Sequence, residues 1–262
     1  MFYSIKVTIY LFIFLFGACW GSFLNCLIYR WEQGKKINQG RSFCPKCRHC
    51  LGFWDLVPIF SFIFLRRKCR YCHEKISFQY LLVEIATAVL FLLIYILPPY
   101  DLGFKIYEWV IISFFILIFV YDLKNYIIPD KAVYPAIVVV SLFIILNSYI
   151  INHKSIINPI VAGISAGGFF FLIWLVSRGK WLGFGDVKLV LPLMLLLVWP
   201  DNLTGLVLAF WLGAIVGVFL VLFSKLRKRS SGYELKSEIP FAPFLILGTA
   251  IAYFFHIPLF PF

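Results

Sequence analysis

Long apolar runs recur along this chain and leave it few architectures. Stretches of about 18 or more nearly uncharged apolar residues are the mark of membrane-spanning helices, and here they alternate with short polar breaks. Hydrophobic residues make up 62% of the chain and charged residues 14%, against about 25% charged in a soluble domain. Hydrocarbon offers no water to the backbone, so each spanning segment must satisfy its own N–H and C=O groups, which selects helices. No barrel-type alternation appears. The expected fold is an all-α polytopic membrane protein. Eight spans are expected, near 7–29, 79–97, 107–121, 131–150, 156–177, 187–200, 203–224 and 240–258. The boundary at Trp199-Pro200-Asp201-Asn202 is the least sharply marked.

The net charge of +12 does not spread as a nucleic-acid-binding face would. Basic residues concentrate in Arg30–Lys75 and Lys225–Lys236, between apolar runs, as the positive-inside bias predicts for cytoplasmic loops. Placing 30–78 in the cytoplasm puts all but Lys6, Lys105 and Lys154 of the 24 basic residues inside, with both termini outside. No nucleic-acid partner is expected; the basic loop should instead lie on anionic phospholipid headgroups. The first apolar run continues to Ile28 with no polar cleavage region, so it reads as a retained span and not a removed signal. Gly17 and Gly21, Gly163 and Gly167, and Gly213 and Gly217 have the small-xxx-small spacing that lets helices approach closely; the alternative is that glycine is simply common in such helices. The expected organisation is a first span over 1–29, a cytoplasmic loop domain over 30–78 and a helical bundle over 79–262. No internal repeat is visible.

The loop is too short to fold without a staple, and one is present. Cys44-Pro45-Lys46-Cys47 is followed by Cys69-Arg70-Tyr71-Cys72. Paired CxxC motifs at this spacing mark a tetrahedral four-thiolate zinc site, which leaves no open catalytic position and is structural. Disulfides are the competing reading, disfavoured by a reducing cytoplasm. His49 and Cys50 adjoin the first pair as alternate ligands or bystanders. Cys19 and Cys26 read as small apolar residues of the first span.

Two polar islands break the bundle: Tyr121-Asp122-Leu123-Lys124-Asn125-Tyr126-Ile127-Ile128-Pro129-Asp130, and Gly183-Phe184-Gly185-Asp186-Val187-Lys188. An ionisable group at a membrane edge is costly and marks function by default. Asp122 ends one span and Asp186 opens another, with Gly183 and Gly185 permitting an irregular approach. Two carboxylates brought together share a proton. The charged one can take a proton from water while the neutral one hydrogen-bonds a scissile carbonyl, an aspartic peptidase mechanism that needs no metal, serine or cysteine. The competing reading is that each Asp caps a helix. Asp130, after Pro129, fits a helix start better, although it is the first rival for the catalytic role. Glu84 lies inside the second span, to hydrogen-bond within the bundle or to help bind substrate. Lys124 and Lys188 are placed to pair with carboxylates or headgroups.

These residues carry a resemblance to the bacterial type IV prepilin peptidases. Gly21-Ser22-Phe23-Leu24-Asn25-Cys26-Leu27-Ile28-Tyr29-Arg30 resembles the family's first-span signature. The paired CxxC motifs flank Trp54-Asp55-Leu56-Val57-Pro58; Val83-Glu84 follows; Asp122 to Asp130 and Gly183-Phe184-Gly185-Asp186 resemble its aspartate–IPD and GxGD motifs. The resemblance implies an aspartic endopeptidase of the inner membrane that removes basic leaders from prepilins and pseudopilins at the cytoplasmic face, with Asp122 and Asp186 as the catalytic pair. It further implies S-adenosylmethionine-dependent methylation of the new N-terminus and contact with pilus or secretion assembly components. No residue is assignable to the methyl donor, since no glycine-rich nucleotide loop is present. A transporter, an intramembrane protease of the presenilin kind, and an assembly scaffold with incidental aspartates are the alternatives.

Overall fold

A computed structural model describes residues 2–36, 40–97, 101–147, 157–197, 199–226 and 239–256. Lys154 and most of the second basic stretch, with Glu234 and Glu238, lie outside the described residues. The described chain is helical: α1 (Phe2–Glu32), α2 (Phe60–Phe64), α3 (Phe78–Ile96), α4 (Leu102–Asn125), α5 (Asp130–Asn147), α6 (Ile157–Ser177), α7 (Phe184–Leu195), α8 (Asp201–Leu226) and α9 (Ala242–Phe255). A single 3-10 turn, Phe53–Asp55, precedes α2.

A helix lies at each of the eight expected spans, but they differ in reach. Among the described residues, α1, α3, α4, α6 and α8 hold five segments long and apolar enough to cross a membrane. With 12 residues α7 rises about 18 Å, and a bilayer core is about 30 Å thick. The expected span at 187–200 is therefore displaced and short: its helix begins three residues earlier and stops at Leu195. Pro192 within α7 and Pro200 before α8 punctuate this region, as residues lacking a backbone donor do. At the other polar island α4 continues to Asn125, so Asp122 sits on the last turn of that helix and not beyond it.

The chain divides into two compact units, Met1–Ile116 and Leu117–Phe262. In the first, α1 packs along α3. A Cβ on Gly17 would stand 2.8 Å from the Ala88 Cα, and one on Gly21 2.8 Å from the Glu84 Cα. The two backbones approach where only glycine fits, as the spacing implied. Phe91 and Trp109 stack at 5.1 Å, and the Trp109 indole donates to the Phe91 carbonyl.

In the second unit α7 is the central element, packed by α5, α6 and α9, with α8 lying on α9. Leu189, Val190, Leu193 and Met194 are wholly buried. A Cβ on Gly163 would stand 2.9 Å from the Leu195 side chain of α7, and one on Gly167 2.7 Å from that of Leu191. The Gly213 and Gly217 pair does not work this way: a Cβ at either meets only ordinary contacts, 3.5 Å or longer. The close approach of α8 and α9 occurs instead at Gly248, whose Cβ would fall 2.5 Å from the Gly205 carbonyl.

Replacing Gly21 by Leu should force α1 from α3, because overpacking a filled interface costs about 1–3 kcal/mol. A lower melting temperature of the purified protein in detergent is the expected result; the matching change at Gly213 should be tolerated.

Candidate active site and metal centre

The cysteine loop builds two turns of the same design. The Cys44 N–H bonds the His49 carbonyl and the Arg48 N–H bonds the Cys44 carbonyl; in the second, Cys69 N–H bonds Glu74 and His73 N–H bonds Cys69. Arg48 and His73, each one residue past the second cysteine, both take left-handed backbone at φ 58° and 57°. Single bridges, Phe43 to Cys50 and Lys68 to Lys75, close the turns. The loop thus contains a structural repeat that its residues, alike only in their cysteines, conceal.

The turns bring Cys44, Cys47, Cys69 and Cys72 together, with all four sulfur atoms within 4.8 Å of one another. The Cys44 and Cys72 Sγ atoms are 3.8 Å apart, far beyond a disulfide bond of about 2.05 Å. Metal–thiolate bonds of about 2.3 Å set tetrahedrally require sulfurs about 3.8 Å apart. The electrostatics agree. Burial pushes the Cys69 thiol up, but the Cys72 and Tyr71 backbone N–H groups and the Cys44 and Cys72 thiols outweigh it, and it falls to about 7. At Cys72 the Glu74 backbone favours the thiolate, yet burial and three neighbouring sulfurs push it up to about 11. Four such groups become thiolates together only around a cation. The cluster can hold a metal ion. Cys50 stays outside it and exposed, and His49 stacks on Tyr71 at 3.7 Å instead of turning to the sulfurs.

Glu84 is buried on α3. Its Oε2 accepts the Ile59 N–H at 2.8 Å, and Ser22 also bonds its side chain. Of its two expected roles, the structure supplies hydrogen bonding, but to the loop at Ile59 and to Ser22 of α1 and not to the 79–262 bundle. Asp55 is likewise structural, accepting from the Gly52 N–H and pairing with Arg70 at 2.7 Å.

In the second unit Asp122, on α4, and Asp186, in the first turn of α7, are 4% and 8% exposed. The charge of Asp122 acts on Asp186. Asp122 is held by the backbone N–H of Ala242 at the start of α9, and Asp186 by that of Gly183. Each keeps one buried oxygen, Asp122 Oδ2 and Asp186 Oδ1, with no hydrogen-bond partner among the described residues. The two polar islands touch: a Cβ on Gly185 would stand 2.9 Å from that of Ile128, so only glycine admits the Ile-Pro-Asp segment there.

Asp130 is placed otherwise. It opens α5, is exposed, and pairs with Lys188. Its position at the start of α5 fits the helix-start reading, and its exposure and ion pair set it apart from the two buried acids. Ala242 is the residue that reading the sequence missed. Pro240 and Pro243 around it are a helix-start signal, but nothing local says which side chain will meet that N-terminus.

Residues 15–97 match the Bacterial Peptidase A24 N-terminal domain, and residues 109–218 match the Type IV leader peptidase family. A protein of Klebsiella pneumoniae named prepilin leader peptidase/N-methyltransferase is 31% identical over 206 residues, covering 76% of this chain and 89% of that protein. This chain belongs to the type IV leader peptidase family. Proteins of the same name from Vibrio cholerae, 29% identical over 89% of this chain and 92% of the relative, and Aeromonas salmonicida, 28% identical over 92% and 88%, resemble it over nearly their whole length. No solved structure matches the chain. The family signature noted in the first span, the cysteine loop and the two polar islands all lie within the matched segments.

Two results should follow from this geometry. Gly185→Ala should lower the melting temperature by the equivalent of about 1–3 kcal/mol, and adding Ile128→Ala should restore part of it. The purified protein should carry close to one tightly bound metal ion per chain by elemental analysis, lost in the Cys44→Ser, Cys69→Ser double variant.

Proposed function

We propose that this leader peptidase is an aspartic endopeptidase in which Asp122 and Asp186 share one proton over a nucleophilic water. The single observation that supports this most is that both carboxylates are buried, one acting on the other, with an oxygen of each left without a partner among the described residues. The ionised acid takes a proton from the water as it adds to the scissile carbonyl. The protonated acid hydrogen-bonds the carbonyl oxygen, stabilises the tetrahedral intermediate, and passes its proton to the leaving amine. Backbone N–H groups of Ala242 and Gly183 would hold the acids through this cycle, since they need not reorganise as charge moves.

The substrate class that fits is a prepilin, the protein named in the relatives, or a pseudopilin of the same leader type. A basic leader left on the cytoplasmic side of an inner membrane is where the proposed topology would put the cut, with both termini of the enzyme outside. N-methylation of the new terminus from S-adenosylmethionine follows the relatives' second named activity; contact with pilus or secretion assembly components is its natural setting. Zinc is the metal that best fits four thiolates, with a structural role in the 30–78 loop domain. That loop's positive charge would place it on anionic headgroups. A transporter reading finds no support, because the buried acids sit at helix ends and not on broken helices paired between halves.

With purified enzyme and a prepilin, Asp122→Asn and Asp186→Asn should each lower leader cleavage by about 10²–10⁴-fold, with melting temperature retained. Asp130→Asn should leave cleavage near that of the parent protein. Equal loss in all three, or in neither of the first two, would overturn the assignment.

A further inference from the structure

The cysteine loop carries a segment that a soluble loop would not expose. Between residues 53 and 64, Phe53, Trp54, Phe60, Ile63 and Phe64 are 76%, 74%, 50%, 59% and 79% exposed. Exposed large apolar groups so concentrated mark an interaction surface. What covers it follows from where the segment is fastened.

Span α3 has 19 residues, Phe78–Ile96, barely the length that crosses a bilayer core. Phe78 therefore lies at the edge of the hydrocarbon, and Glu84, six residues on, lies about 9 Å deeper along the helix. The Ile59 N–H is bonded to Glu84, so the chain at Ile59 is drawn down beside α3, below the level at which that helix begins. It turns there sharply. Ile59 has φ 64° and ψ −54°, with the Phe60 N–H on the Pro58 carbonyl at 2.6 Å, the rare γ-turn that a β-branched residue adopts only under constraint. Helix α2 then runs back, where Phe62 meets Phe78 at 5.6 Å and the Arg67 guanidinium lies over the Phe78 ring at 3.9 Å.

Phe78 heads a stripe of exposed apolar residues on α3 with Leu82, Ile85 and Val89. The i, i+4, i+7, i+11 spacing puts these on one helix face, which in a spanning helix faces lipid. The loop's apolar segment adjoins that face through the Phe62–Phe78 contact. Just beyond it in the chain, Arg66 and Lys68 are exposed, and Arg70 pairs with Asp55 of the same segment. An exposed aromatic segment flanked by cations is the composition of a membrane interface.

We propose that residues 53–64 form an interfacial wedge whose Phe53, Trp54, Phe60, Ile63 and Phe64 side chains insert into the lipid acyl boundary beside α3. This builds on the headgroup contact proposed for the basic loop but differs from it in force. Headgroup attraction is electrostatic and fails in salt and in zwitterionic lipid, whereas apolar insertion persists in both.

The test uses the full-length protein in nanodiscs of phosphatidylethanolamine with phosphatidylglycerol, and of phosphatidylcholine alone in high salt. A photoreactive p-benzoylphenylalanine replaces Phe53, Phe64 or, as the lipid-facing reference, Leu82, and intact mass after illumination reports lipid adducts. Adducts at all three positions in both lipids are expected. Glu84→Leu should reduce the Phe64 adduct several-fold with the Leu82 adduct unchanged, while Glu84→Gln, which still accepts the Ile59 N–H, should retain it. Adducts at Leu82 but not at Phe53 or Phe64 would overturn the wedge, as would their capture of a protein in place of lipid. Adducts confined to anionic lipid would leave the headgroup reading standing and remove this one. Failure at Leu82 as well would remove it too, since the stripe would not face lipid.

Discussion

Glu84, Asp122 and Asp186 are acids taken out of water, and each is held by a backbone N–H: Glu84 by Ile59, Asp122 by Ala242 and Asp186 by Gly183. Burying a carboxylate unpaired is prohibitive, and a cation at each would neutralise its chemistry. A backbone amide, fixed and uncharged, makes the burial tolerable without quenching the group. What separates the three is the other oxygen. Glu84 has the Ser22 hydroxyl as well; Asp122 and Asp186 each retain an oxygen without a partner among the described residues. A saturated carboxylate fastens chain segments together. An unsaturated pair, close enough for one charge to act on the other, can hold a proton and a water between them.

The proposed pairing of those two acids bears on how the rest of the second unit is built. Asp122 comes from the last turn of α4 and Asp186 from the first turn of α7, so the connecting island must fold against the start of α7. Gly185 permits it by letting Ile128 come where a Cβ would otherwise stand. Asp130 then opens α5 and reaches Lys188, one turn along α7, tying the same two segments a second time. That exposed pair contributes little by itself; its place beside the glycine contact is what makes it consistent with one register of the island on α7.

Much of this was legible before any coordinates. Apolar runs of spanning length lead to helices because hydrocarbon allows nothing else, and two CxxC pairs lead to one cluster because four thiolates need a common cation. The ends of helices were less legible. Asp122 falls within α4 because its last turn is polar, and α7 stops at Leu195 although apolar residues continue. Small-xxx-small spacing identified Gly17 with Gly21 correctly and Gly213 with Gly217 incorrectly, because spacing describes one helix and close approach depends on two. Gly205 and Gly248, 43 positions apart, have no local pattern to find. The same holds for Ala242 at Asp122 and Ile59 at Glu84: a backbone N–H carries no residue identity, so sequence cannot announce which one a carboxylate will use.

The Glu84–Ile59 bond also shows why a segment as apolar as Phe53–Phe64 sits within a loop bearing so many cations. In water, that segment would fold inward or attract other chains. Held beside α3 it has a third course, because the bilayer supplies the apolar phase that a domain of this size cannot build from its own residues. On the two proposals above, the cysteine cluster and the bilayer would divide the work of folding the loop, the cluster fixing its two turns and lipid receiving its greasy side. On that account removing the metal should loosen the turns without freeing the Ile59 turn from α3, since Glu84 and its two partners lie outside the cluster.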